Sequence, residues 1–238
     1  MSAPSGYYAS RKPRLLKEFD LVVKYTRRVL VKNLGGENVD NLVARTRSEF
    51  EALIPQLPYI GGRQPLTEFV VFTGMYLAIY RVTKSLGKTV EETGELVYEI
   101  GREFLRNNPA FLARIFGFMS FSRFYLSRLR KRAIESHLQQ YPEGYVFNFV
   151  EGDGKTYDYG VDYLECASCK FLARQGAPEL APYLCPVDIL YSDALGWGLM
   201  RTQTLAEGAD RCDFRFKKGG ETKVAVPVAL QAVVARGE

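Results

Sequence analysis

Histidine is nearly missing from this chain of 238 residues: His137 stands alone, and cysteine is limited to four residues. One imidazole excludes a multi-histidine metal centre and any catalytic design that needs two histidines. His137 also lies far in sequence from the cysteines, so it reads as a solvated or core residue. Long apolar runs are lacking as well. The longest, around Phe69 to Tyr80, is broken by Thr73 and Gly74 and is too short to span a bilayer, so no stable membrane insertion is expected. The N-terminus, Met1-Ser-Ala-Pro-Ser-Gly, turns basic at Arg11, Lys12 and Arg14 with no apolar stretch behind it, unlike a secretory signal. A cytoplasmic location is expected, where cysteines are thiols or metal ligands rather than disulfides. There is no internal repeat and no low-complexity linker.

What is present has the balance of a folded protein: 47% apolar and 25% charged residues, enough chain for a substantial core, and a net charge of +5. That charge favours a carboxylate-bearing small molecule without the concentrated basic stripe of a nucleic-acid binder, so no nucleic-acid partner is expected.

Residues 1–140 have helical character. Leu15, Phe19, Val22, Val23 and Leu30 recur at three- and four-residue steps, with Gly35-Gly36 as the stop. A second helix is expected from Val39 to Ile54, ending before Pro55. The loop Pro58-Tyr-Ile-Gly-Gly-Arg-Gln-Pro65 follows, then an apolar helix from Leu66 to Leu86. Thr89 and Glu92 have the spacing of a capping box and start the next helix, which Asn107-Asn108-Pro109 ends. One long helix should then run through His137. Its Phe116, Phe118, Phe121, Phe124, Tyr125 cluster and basic end (Arg128, Arg130, Lys131, Arg132) read as an aromatic face with a solvated terminus, with a membrane-surface or nucleic-acid contact as the less common alternative.

Residues 141–238 change to strand. Tyr145, Phe147 and Phe149 alternate with polar or smaller residues, Gly152-Asp-Gly154 turns, and Tyr157 to Tyr163 alternates again, giving a hairpin. Helical segments from Cys166 to Gln175 and Pro186 to Leu195 precede a second hairpin, Leu199–Leu205 with Cys212–Phe216. The expected fold class is α+β: a helical part, then a small antiparallel sheet of two hairpins with helices inserted between them. The apolar tail Val224–Val234, interrupted by Pro227, is expected to pack on the sheet or on a second subunit, as in a homodimer.

Chemistry concentrates between the hairpins. Cys166 and Cys169 stand three apart directly after a strand, so both thiols share one face at a helix start, where unpaired N–H groups and the helix dipole stabilise a thiolate. Pro186 suits a first helical position, placing Cys185 at the N-cap and Asp188 at the third helical residue. A thiol beside a carboxylate reads as nucleophile plus base, although the carboxylate opposes the thiolate; the bland reading is a capping Asp188 and a buried Cys185. Metal is the other use of the same residues. Cys166, Cys169, Cys185 and Cys212 follow Cys-x2-Cys-x15-Cys-x26-Cys, with only one of the two close pairs usual for structural zinc, so zinc or an iron–sulfur cluster belongs to the alternative of a non-catalytic sensor. On the second hairpin, alternation puts Arg201 on the face of Gln203 and opposite Thr202 and Thr204. Arg201 could hold a substrate carboxylate bidentately.

Several segments carry a resemblance to a known family: Pro58-Tyr-Ile-Gly-Gly62, Thr93-Gly-Glu-Leu-Val-Tyr-Glu99, Glu165-Cys-Ala-Ser-Cys169, Leu180-Ala-Pro-Tyr-Leu-Cys-Pro-Val-Asp188, Arg201-Thr-Gln-Thr-Leu-Ala-Glu-Gly208 and Cys212-Asp-Phe-Arg-Phe216. Together they resemble the L-2-amino-thiazoline-4-carboxylate hydrolase family over nearly the whole chain. The resemblance implies a hydrolase that opens a thiazoline ring by water attack at its amidine carbon, a reaction on a non-peptide carbon–nitrogen framework. The glycine-then-Cys-x-Phe ending is also similar to small-molecule-binding domains of the vinyl-reductase type, over one hairpin only. On this footing Cys185 or Cys166 attacks or positions water, Asp188 or Glu165 handles the proton, Arg201, Thr204 and Cys212 contact the substrate, and no cofactor is expected.

Overall fold

The structure is a computed structural model that describes residues 6–34, 39–62, 64, 66–107 and 110–235. The Met1–Ser5 segment, the Gly35-Gly36 stop, Arg63 and Pro65 of the glycine loop and the Asn108-Pro109 stop lie outside the described residues.

Four helices begin the chain: α1 (Lys12–Leu34), α2 (Val39–Leu53), α3 (Leu66–Ser85) and α4 (Val90–Arg106). Each follows the periodicity of its apolar residues. Helix α4 starts with the expected capping box, in which Thr89 Oγ1 accepts from Glu92 N–H at 3.2 Å and Glu92 Oε2 accepts from Thr89 N–H at 2.9 Å. Helix α3 is buried along most of its length because its sequence is apolar nearly all round.

The single helix expected up to His137 is two: α5 (Ala110–Met119) and α6 (Arg123–Ser136). Serine makes the break. Ser120 Oγ donates to the Gly117 carbonyl at 2.6 Å, and Ser122 caps α6 by accepting from Tyr125 N–H at 3.2 Å. Helix α5 lies against the C-terminus of α9 (Val187–Leu195), and Gly117 is what permits it: a Cβ there would sit 1.7 Å from the Leu195 carbonyl oxygen.

The sheet contains β1 (Val146–Glu151), β2 (Tyr159–Glu165), β3 (Leu199–Arg201), β4 (Cys212–Phe216) and β5 (Lys223–Val224), in the order β1-β2-β4-β3-β5. All neighbours are antiparallel except β3 and β5, and the fold is α+β as expected. Tyr159, Val161, Phe147 and Phe216 form an aromatic-rich face that Leu126, Leu129 and Ala133 of α6 cover. The inserted helices α7 (Ala167–Arg174) and α8 (Ala181–Leu184) turn the other way. Phe171, Leu172 and Leu180 join Phe50, Leu53, Val70 and Leu77 in one cluster, so the two parts of the chain share a core.

Two further expectations need correction. The second hairpin is shorter than its apolar pattern, because β3 stops at Arg201: Asp213 then takes the N–H groups of Thr202 (2.9 Å) and Gln203 (3.0 Å) where a ladder carbonyl would be. The tail does not lie on the sheet face. After edge strand β5, Pro227 is followed by α10 (Val228–Ala235), which packs on α4 and buries Leu230 and Val233.

Candidate active site

Strand β2 delivers its last residues to the start of α7. Cys166 leaves the strand in extended conformation and occupies the N-cap position of α7 without a side-chain capping hydrogen bond, at the end of the helix where the first-turn N–H groups are unpaired. The Cys169 thiol foremost, then the N–H groups of Cys169 and Ser168, hold the Cys166 thiol below its ordinary value against the opposing effect of burial. Cys169 is driven the other way, since the proton it shares with Cys166 is hard to remove.

The Cys185–Asp188 arrangement differs from the expected one. Cys185 is not an N-cap; it follows directly on α8 in helical conformation (φ −57°, ψ −34°), and Pro186 is the N-cap of α9. Asp188 is consequently the second residue of α9. The short helix α8 keeps the chain helical through Cys185, leaving no extended residue to cap with. Cys185 Sγ donates to the Ala181 carbonyl at 3.6 Å, and burial pushes its thiol well up, with Arg201 opposing. That environment disfavours a thiolate.

Arg201 is 2% exposed, which for this side chain requires partners. Nη1 pairs with Asp188 Oδ2 and donates to the Cys185 carbonyl at 3.2 Å, while the guanidinium lies 5.4 Å from the Phe214 ring centroid. Nε is buried with no partner among the described residues. Asp188 keeps 23% of its side-chain surface, and burial raises its carboxyl to about 6, with Arg201 pulling the opposite way. Cys212 lies opposite Tyr163 in the β2–β4 register. Its sulfur accepts from Leu205 N–H at 3.2 Å, and burial raises the thiol to about 11. Cys166, Cys185, Cys212, Asp188 and Arg201 thus stand within electrostatic reach of one another.

Glu165 and Thr204 have other employment. Glu165 pairs with Lys170, whose ammonium also donates to the Pro142 carbonyl at 2.7 Å, and accepts from Gln139 at 3.0 Å, a clamp on the turn before β1. Thr204 is buried and lies beyond the end of β3, where strand alternation no longer applies. It caps the 3-10 turn Leu205–Glu207 by accepting from Glu207 N–H at 3.2 Å. His137 is exposed and bonds Asn148 at 2.8 Å.

The four sulfurs do not converge as a ligand set: among the described residues, no three Cys, His, Asp or Glu side chains are arranged to hold a metal ion. Sequence reasoning missed a chain of hydroxyls. Thr73 Oγ1 and Ser168 Oγ lie 2.8 Å apart and Tyr145 OH and Ser168 Oγ 3.1 Å apart, beside Cys166, whose charge adds to burial in raising the Tyr145 phenol. Thr73 sits on α3, 95 residues from Ser168, and only the fold joins them.

A thiol at the head of a helix, a partly enclosed carboxylate and a buried arginine stand together as a candidate site on an α+β scaffold. Residues 68–216 match the profile of the family described as L-2-amino-thiazoline-4-carboxylic acid hydrolase, and the chain belongs to that family. Comparison with curated proteins and with solved structures gave no significant match. Among the described residues, no helix is long and apolar enough to cross a membrane.

Proposed function

We propose that the protein hydrolyses a small cyclic amidine of the 2-amino-thiazoline-4-carboxylate type, with Cys166 as nucleophile. The observation that carries this reading is the position of Cys166: an N-cap thiol held low by its neighbours, beside a carboxylate whose range reaches about 6.

The Cys166 thiolate adds to the amidinium carbon, and the ring carbon–sulfur bond breaks, leaving a thiouronium on Cys166 and a free thiolate on the opened substrate. Water then adds to the same carbon while Asp188 takes one of its protons. The bond to Cys166 breaks, the sulfur leaves as thiolate, and the urea product passes its second proton to the freed substrate thiolate. Asp188 finally returns its proton to solvent. Arg201 keeps Asp188 in place, and its unpaired Nε is the donor assigned to the substrate carboxylate. Thr204 and Cys212 hold the Leu205–Glu207 turn, and Asp188 takes the proton-handling role for which Glu165 was the other candidate.

Separate Cys166→Ser and Cys185→Ser enzymes, assayed for thiol release from 2-amino-thiazoline-4-carboxylate, test this. The Cys166 variant is expected to lose activity by at least about a hundredfold while the Cys185 variant retains most of it. Full activity in the Cys166 variant would remove the nucleophile from the account.

A further inference from the structure

Helix α5 presents its apolar side outward. On a helical projection Phe111, Leu112, Ile115, Phe116 and Met119 share one contiguous arc, and all five are exposed, Phe111 and Phe116 at 66% each. The opposite side, through Gly117, is spent on the end of α9. Phe124 (69% exposed) continues the patch on α6, whose inward side, Leu126, Leu129 and Ala133, is already used on the sheet. An apolar surface of this kind, contiguous and rich in phenylalanine, marks a docking face rather than scattered exposure.

Charge identifies the occupant. Between positions 104 and 134 the chain has seven arginines and lysines and no aspartate or glutamate. Arg128 of this set borders the apolar patch, its guanidinium 4.8 Å from the Phe124 ring centroid, and Lys218 adds a cation from a later part of the chain, its ammonium 3.6 Å from the Phe118 centroid. Arg130 is committed to Glu151, but Arg123 and Arg128 have no carboxylate partner among the described residues. A second copy meeting this face across a two-fold axis would bring the same cations together, which costs energy, whereas an anionic lipid surface receives both the apolar arc and its cationic border.

We propose that α5 and the start of α6 form a peripheral docking surface for anionic lipid bilayers, with the phenylalanine arc in the interfacial layer and the arginines among the headgroups. Such docking needs no crossing helix, and it stands apart from the catalytic reading, since none of its residues belongs to the thiol–carboxylate site.

The test uses the full chain in co-sedimentation with vesicles of phosphatidylcholine alone and of phosphatidylcholine with phosphatidylglycerol at two to one. Binding is expected to the anionic vesicles only, weakened by salt, and reduced about tenfold or more in a Phe111→Ser/Phe116→Ser variant whose melting temperature matches the parent. Three results would overturn the proposal: no sedimentation with anionic vesicles, sedimentation unchanged in the double variant, or a soluble dimer that dissociates in the double variant while the parent ignores vesicles.

Discussion

Asp188 and Arg201 form an ion pair in which the two partners are unequally placed: the guanidinium is almost fully enclosed, while the carboxylate keeps a solvent-facing side. Enclosure raises the Asp188 carboxyl from 3.8 to about 6 despite the adjacent cation. An aspartate in that range can both take a proton near neutral pH and give it up, which one held at its ordinary value does poorly.

The pH dependence follows from this shift. Folding holds a proton on Asp188 that the unfolded chain releases at lower pH, so its stabilising contribution is complete below about 4 and is lost as pH rises through about 6. A shift of roughly two units corresponds to about 3 kcal/mol. The stability of the parent relative to Asp188→Asn, measured by urea unfolding, should fall by about that amount between pH 4 and pH 7. In catalysis the ionised form is the active base, so kcat should fall on acidification through about 6, and Asp188→Asn should lack that limb.

Removing the cation should cost more than removing the pair. Arg201→Met leaves the Asp188 charge enclosed without its partner, an expected loss of about 3–5 kcal/mol near pH 8. The double variant Arg201→Met/Asp188→Asn should recover a substantial part of it. Chemical denaturation of the three proteins in parallel reads this directly.

The contact between α5 and α9 depends on one missing side chain. Gly117→Ala puts a methyl group where the Leu195 carbonyl oxygen now lies, so the helices must separate. A loss of about 1–3 kcal/mol is expected by thermal or urea unfolding.

Thr89→Ala removes the hydroxyl half of the α4 capping box and should cost about 1 kcal/mol by the same measurement. Thr89→Ser should retain most of that stability.

Much of this was legible in the chain because it is governed by local chemistry. The Thr89–Glu92 box, the α2 and α3 boundaries and the placement of Cys166 at a helix start all follow from residues within a few positions of one another. The Ser120–Ser122 break was hidden because serine is compatible with a helix interior; here its hydroxyls capture local carbonyl and N–H groups instead. Cys185 was misplaced because Pro186 suits a helix start equally well when a preceding short helix leads into it. Thr204 could not be placed by alternation, which has no meaning beyond Arg201, where the side chain of Asp213 replaces the sheet partner. The Thr73–Ser168–Tyr145 hydroxyl chain had no sequence signature at all, since its members come from α3, α7 and the residue before β1.

Covalent attack by Cys166 should be visible in Asp188→Asn, because slowed water addition leaves the thiouronium in place. Mixing that variant with 2-amino-thiazoline-4-carboxylate and measuring intact mass, followed by peptide mapping, should find one substrate mass added at Cys166. Absence of any adduct, together with Cys166→Ser turning over at the parent rate, would contradict the account.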